Sequence, residues 1–128
     1  VVERIEIVTD AAPRGSGAYS QAVRAGDLVF ISGQGPLDPG TLEVVGTTIE
    51  EQTEVTLRHL AAIAEAAGGS LRDVVKVSVF LSSIELFPGF DAIYARIFDD
   101  LPRPARTTTG AELRGILVEI DAVLHLPR

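Results

Sequence analysis

Apolar and polar positions alternate most regularly near the end of the chain. Val118, Ile120, Ala122 and Leu124 fall on one face of an extended segment, with Glu119, Asp121, Val123 and His125 on the other. Glu3 to Val8 alternates more weakly and predicts a first strand. Ala22-Val23-Arg24 and Leu28-Val29-Phe30-Ile31 flank Ala25-Gly26-Asp27 and predict a hairpin. Val74 to Leu81 predicts a strand with Val75, Val77, Val79 and Leu81 on one face and Val74, Lys76, Ser78 and Phe80 on the other. Both of its faces are partly apolar, so both need cover.

The helical period appears in two stretches. Thr48-x-x-Glu51 is a capping box, and Leu57, Leu60, Ile63, Ala64 and Ala67 then mark one face until Gly68-Gly69 stops the helix. Pro88 sits in the first turn of a second helix, whose stripe is Phe90, Ile93, Tyr94, Ile97 and Leu101, with Asp91 and Asp99 as polar positions. Pro102 and Pro104 end it and deliver the chain to a strand from Arg106 to Ala111. A turn around Arg114-Gly115 predicts that this strand makes a hairpin with Ile116 to Leu126. Turn-rich segments cover Thr9 to Ser16 and Asp38-Pro39-Gly40, and Thr41 to Val45 is a candidate short strand. The sum is an α+β domain with two helices on one face of a mixed sheet. The other face keeps apolar side chains that another subunit is expected to cover.

Composition narrows the classes. A chain of 128 residues, 46% of them hydrophobic, reads as a single domain over 1–128 with a real core. Absence of Cys excludes disulfides and thiolate chemistry and is compatible with the expected cytoplasmic location. A net charge of −7, with the basic residues scattered, disfavours nucleic acid. No apolar stretch approaches membrane-spanning length, and no signal-peptide pattern is visible.

The candidate chemistry lies in a few places. Arg106, in Pro104-Ala105-Arg106-Thr107-Thr108-Thr109, is either a surface ion-pair residue or a planar fork for a carboxylate. Glu119 and Asp121 face solvent, a partner or a site. Tyr19 follows Gly17 and is either a rim aromatic or a site residue. Ser32-Gly33-Gln34-Gly35 allows close backbone approach but lacks the spacing and Lys of a phosphate loop. His59 has no second ligand at helical spacing and reads as a surface or rim histidine, and Lys76 as a surface or subunit-contact residue.

Several segments, taken together and in order, resemble the RidA/YjgF/YER057c/UK114 family. They are Gly17-Ala18-Tyr19-Ser20-Gln21-Ala22, Ser32-Gly33-Gln34, Ala66-Ala67-Gly68, Asp73-Val74-Val75-Lys76, Pro104-Ala105-Arg106-Thr107 and Val118-Glu119-Ile120-Asp121-Ala122. The resemblance runs from about residue 3 to residue 126. It implies a chorismate-mutase-like fold assembled as a homotrimeric barrel with helices outward and clefts between neighbouring subunits. It implies hydrolysis of 2-aminoacrylate and 2-iminobutanoate to 2-oxo acids and ammonia, without metal or organic cofactor. By the same resemblance Arg106 binds the substrate carboxylate, Tyr19 forms an aromatic wall and possible hydroxyl donor, and Ser32 and Gly33 line the cleft. Thr107 and Thr108 follow Arg106 at the substrate, with Thr108 in the place of a Cys found in many active members. Asp121 stands where the archetypes have the Glu that places the attacking water, and Asp91 stands where Asn is frequent. Ala18 replaces a common Pro, and Gly110-Ala111 interrupts a usual apolar run. The competing readings are a regulatory metabolite binder using the same clefts, a deaminase of another substrate such as 2-aminomuconate, a ribonuclease or translation inhibitor, and a holdase.

Overall fold

The computed structural model describes residues 3–15 and 17–127; Val1, Val2, Arg128 and Ser16, the last residue of the first turn segment, lie outside it. Among the described residues the strands are β1 (Arg4–Ile7), β2 (Ala22–Ala25), β3 (Leu28–Gln34), β4 (Val74–Leu81), β5 (Ala105–Gly110) and β6 (Val118–His125), and the helices α1 (Ile49–Ala66) and α2 (Phe87–Ile97). They build a six-stranded sheet in the order β1-β2-β3-β6-β4-β5. The β4–β5 pair is parallel and the other pairs are antiparallel.

The capping box forms as its residues dictate. Thr48 Oγ1 accepts from Glu51 N–H at 3.1 Å, and Glu51 Oε1 accepts from Thr48 N–H at 3.1 Å. At the other end Gly68 takes φ +95° and Gly69 N–H closes on Ala64 O at 2.9 Å. Leu57, Leu60 and Ile63 of α1 share one buried core with Val29 and Ile31 of β3 and Ile120 and Leu124 of β6, the two strands that α1 packs on. On α2 the rings of Phe87, Phe90, Tyr94 and Phe98 run in succession with centroid spacings of 6.2, 5.4 and 4.6 Å. Phe98 is buried just beyond the helix end. Both helices contribute to the core on one side of the sheet. The other side exposes Leu28 and Phe30, the latter by 45%.

Four expectations are corrected. The last two strands are not a hairpin: β5 lies at the sheet edge beside β4, and β6 lies between β3 and β4. The intervening segment crosses the end of β4, where Ala111 N–H donates to Leu81 O and Ser82 N–H to Leu117 O. Buried Gln52 on α1 holds it there, accepting from Leu117 N–H at 2.8 Å. This places the most alternating strand centrally, where the apolar half of its pattern is fully buried. In β4 a register shift between Val74 and Lys76 buries Val74 and leaves Val75 47% exposed, reversing their predicted faces. Thr41 to Val45 forms only the isolated Leu37–Val44 bridge, because Asp38 Oδ1 captures the N–H groups of Gly40 and Thr41 in a turn. His59 is buried, and its Nε2 lies 2.7 Å from Leu37 O. A carbonyl can only accept, so that nitrogen carries the proton and pins the 35–47 excursion to α1.

Candidate functional site

The strand register assigns each candidate residue to a face. Asp121, Ser78 and Thr107 pair in one row across β6, β4 and β5, and Glu119 pairs with Phe80. These lie on the open face, since the intervening row of Ala122, Val77 and Arg106 contains the buried Ala122 and Val77 of the helix side. Arg106 and Thr108 therefore point towards α2, whereas Asp121 and Thr107 point away from it. The register places the expected cation and the expected acid on opposite faces of one sheet.

The open face holds a cavity of about 520 Å³ bounded by Tyr19, Phe30, Ser32, Gly33, Glu119 and Asp121. A bulge shapes it. Ile31 pairs with Ala122 and Gln34 with Ile120, so Ser32 and Gly33 together oppose Asp121 alone. Ser32 Oγ donates to Ser20 O at 2.7 Å, and Ser32 N–H to Gln21 O at 3.0 Å, which ties the Tyr19 loop to β3. Gln21 anchors that loop from beneath. Its Nε2 reaches Thr9 O, Ala12 O and Pro13 O at 3.2, 3.2 and 2.9 Å, while its Oε1 accepts from Thr9 N–H at 2.8 Å. The Tyr19 ring, 51% exposed, lies across Gly15 and Gly17, where a Cβ would collide with it.

Glu119 is the residue that the sequence reading left without a role. It packs on Gly33 so closely that a Cβ there would come within 2.7 Å of Oε2. Burial raises its pKa first, and the neighbouring Asp121 charge adds to that. A carboxyl with elevated proton affinity beside an ionisable neighbour suits proton transfer and water activation. The available sequence signal was Gly33 itself, a strand residue without a side chain.

On the helix face, Arg106 Nη1 donates to Asp91 Oδ1 at 2.7 Å. Its guanidinium carbon lies 5.4, 5.4 and 4.7 Å from the ring centres of Phe87, Phe90 and Tyr94. A cavity of about 330 Å³ opens here, lined by Asp91, Tyr94, Ala95, Arg103, Pro104 and Arg106. Tyr94 Oη is buried without a hydrogen-bond partner. Burial, opposed by Arg106, pushes its pKa up to about 12, so the phenol stays neutral. Thr108 is half-buried on this face. Thr107, on the other, accepts from Lys76 Nζ at 2.9 Å. Among the described residues no group of three or more His, Asp or Glu side chains is placed to hold a metal ion. No described helix is long and apolar enough to cross a membrane.

Residues 9–126 match the family model described as Endoribonuclease L-PSP. A RutC family protein of Saccharolobus solfataricus is 44% identical over 119 residues, which span 91% of this chain and 94% of that protein. The solved structure of RidA from an Antarctic Psychrobacter bacterium superposes with a TM-score of 0.89 at 38% identity, covering 95% of this chain and 99% of that one. The structure of E. coli TdcF with bound serine gives a TM-score of 0.88 at 31% identity, covering 94% and 98%.

Proposed function

The chain belongs to the Endoribonuclease L-PSP family, the Rid/RutC group, and has its chorismate-mutase-like fold; on that premise we propose that it hydrolyses 2-enamino and 2-imino acids to 2-oxo acids and ammonia. The supporting observation is the division of functional groups. One sheet face carries an aromatic-clamped guanidinium, and the other a carboxyl with raised pKa against a glycine bulge. Neither half can act alone on a small carboxylate. Apposing the Arg106 face of one copy with the Glu119 face of a second copy supplies both. The exposed Phe30 and Leu28 give that apposition an apolar contact surface. Head-to-tail contacts of this kind close into a ring, and the family resemblance implies that the ring is a homotrimer with one cleft at each interface.

In the proposed reaction Arg106 pairs with the substrate carboxylate and fixes its orientation. The enamine tautomerises to the imine, which is protonated to the iminium. Glu119, with Asp121 beside it, orients a water and takes its proton as oxygen adds to the C=N carbon. Glu119 returns that proton to the carbinolamine nitrogen, the C–N bond breaks with its electron pair going to nitrogen, and the hydroxyl proton passes to the departing ammonia, leaving the 2-oxo acid and ammonium. Tyr19 closes one wall, and Ser32 holds the Tyr19 loop in register. Asp121 thus takes a supporting place to Glu119. A cytoplasmic enzyme acting beside the threonine/serine dehydratases that release 2-aminoacrylate and 2-iminobutanoate fits this reading. The endoribonuclease label is not carried over, because a net charge of −7 opposes an RNA backbone.

A second reading, binding of a 2-amino or 2-imino acid without turnover, is favoured by the Asp91 carboxylate already paired with Arg106 and by the bound serine in the TdcF relative. Coupling to a dehydratase that generates 2-aminoacrylate or 2-iminobutanoate in situ separates the two. Faster 2-oxo acid and ammonia formation with the parent, and none with Arg106→Ala, supports hydrolysis. No acceleration by a folded parent refutes it for these substrates and moves attention to a bulkier imine such as 2-aminomuconate or to binding alone.

A further inference from the structure

Arg106 does not offer its cavity an unpaired cation. Its Nη1 is engaged by Asp91 in the shortest of the side-chain ion pairs found among the described residues. The same guanidinium sits over the rings of Phe87, Phe90 and Tyr94, so ion pair and aromatic contacts together hold it. Arg106 keeps only 23% of its side chain exposed, while Asp91 keeps 41% and so faces the space a ligand would enter. A ligand carboxylate that takes the remaining N–H groups of the fork meets a fixed negative charge alongside. For a ligand with no other charge that neighbour is repulsive. A ligand with a protonated nitrogen on the carbon next to its carboxylate can turn that nitrogen towards Asp91.

We propose that Asp91 is the charge-specificity residue of the Arg106 site, selecting zwitterionic 2-iminio and 2-amino carboxylates over 2-oxo and 2-hydroxy carboxylates. This rests on the carboxylate site proposed above and goes further by naming what distinguishes its ligands. The selection has a direction in the reaction. The form of the substrate that water attacks is an iminium carboxylate with no net charge. Water replaces nitrogen, the positive charge departs as ammonium, and the 2-oxo acid left behind is a plain anion. The residue that favours the substrate thus disfavours the product. Arg103 lines the same cavity but is exposed, and its charge attracts both ligand classes through their shared carboxylate. The neutral Tyr94 phenol likewise does not distinguish them by charge.

The test is equilibrium binding of L-serine and L-glycerate, which differ by an ammonium against a hydroxyl on the same carbon. Both are titrated calorimetrically into the assembled parent, Asp91→Asn and Arg103→Ala. Asn keeps an oxygen acceptor for Arg106 and removes only the charge. The parent is expected to prefer serine by at least about tenfold. Asp91→Asn is expected to reduce that preference several-fold, chiefly by tighter glycerate binding, the remainder coming from the Glu119 and Asp121 face of the second copy, and Arg103→Ala to weaken both ligands while keeping their ratio. An unchanged ratio in a folded Asp91→Asn protein overturns the proposal and leaves the Arg106 site standing. Failure of the parent to bind either ligand overturns both. Because the titration reads binding and not turnover, a shifted ratio supports the proposal even where the dehydratase-coupled assay refutes hydrolysis.

Discussion

Gly33→Ala separates the fold from the chemistry. A Cβ at this position would sit 2.7 Å from Glu119 Oε2, 2.9 Å from Cδ and 3.1 Å from Cγ. Ordinary carbon contacts lie at about 3.5–4.0 Å, so the carboxyl must retreat by roughly 1 Å. Gly33 does not occupy the left-handed region, and the colliding atoms are at the end of a flexible side chain. Backbone strain is therefore absent, and losing a glycine from the unfolded chain offsets part of the repacking, by about 0.4–1 kcal/mol. The melting temperature is expected to change by no more than about 5 °C. A displacement of about 1 Å at a proton-transfer group can cost about 100-fold in rate. The assay pairs thermal denaturation with ammonia release from dehydratase-generated imine. A folded variant with the parental rate would refute the assignment of Glu119 to the chemistry. A collapse in melting temperature would show that Gly33 serves the fold instead.

Three further outcomes follow from the same geometry. Arg106→Lys keeps a charge but loses the planar fork over the α2 rings, so steady-state kinetics should show kcat/KM reduced at least about tenfold. Gln21→Leu strands the carbonyls of Thr9, Ala12 and Pro13 and should cost about 2–4 kcal/mol in denaturant unfolding; a loss below half of that would show the loop to be held elsewhere. Burial depresses the His59 pKa from its ordinary 6.5, so the unfolded chain binds the extra proton first. Stability contributed by neutral His59 is complete above pH 6.5 and falls as the pH drops through and below that value. His59→Gln should flatten that limb of the stability curve.

What was legible in the sequence was what is decided locally. The α1 boundaries follow from Thr48, Glu51 and Gly68, which act within a turn of themselves. The two faces of β6 follow from its strict alternation. The partner of β5 did not follow, because a parallel neighbour some thirty residues upstream leaves no turn signal, whereas Arg114-Gly115 mimics one. The Val75 bulge and the burial of His59 depend on the register with β6 and on the 35–47 excursion, both non-local. Arg106 and Asp91 were visible as residue types, but not their pairing. Glu119 and Asp121 lie two apart on one strand face and cannot be ranked from spacing. Contact with Gly33 across the β3 bulge ranks them.

The proposed division of the site between two copies is tested most directly by complementation. Arg106→Ala lacks one half-site and Glu119→Gln the other, so each assembled alone should be inactive. Mixing the two under conditions that exchange subunits makes some interfaces with an intact Arg106 from one chain and an intact Glu119 from its neighbour. With random exchange at equal amounts, about a quarter of head-to-tail interfaces qualify, and about a quarter of the parental ammonia-releasing activity should return. Continued inactivity after demonstrated exchange would contradict a site shared between chains.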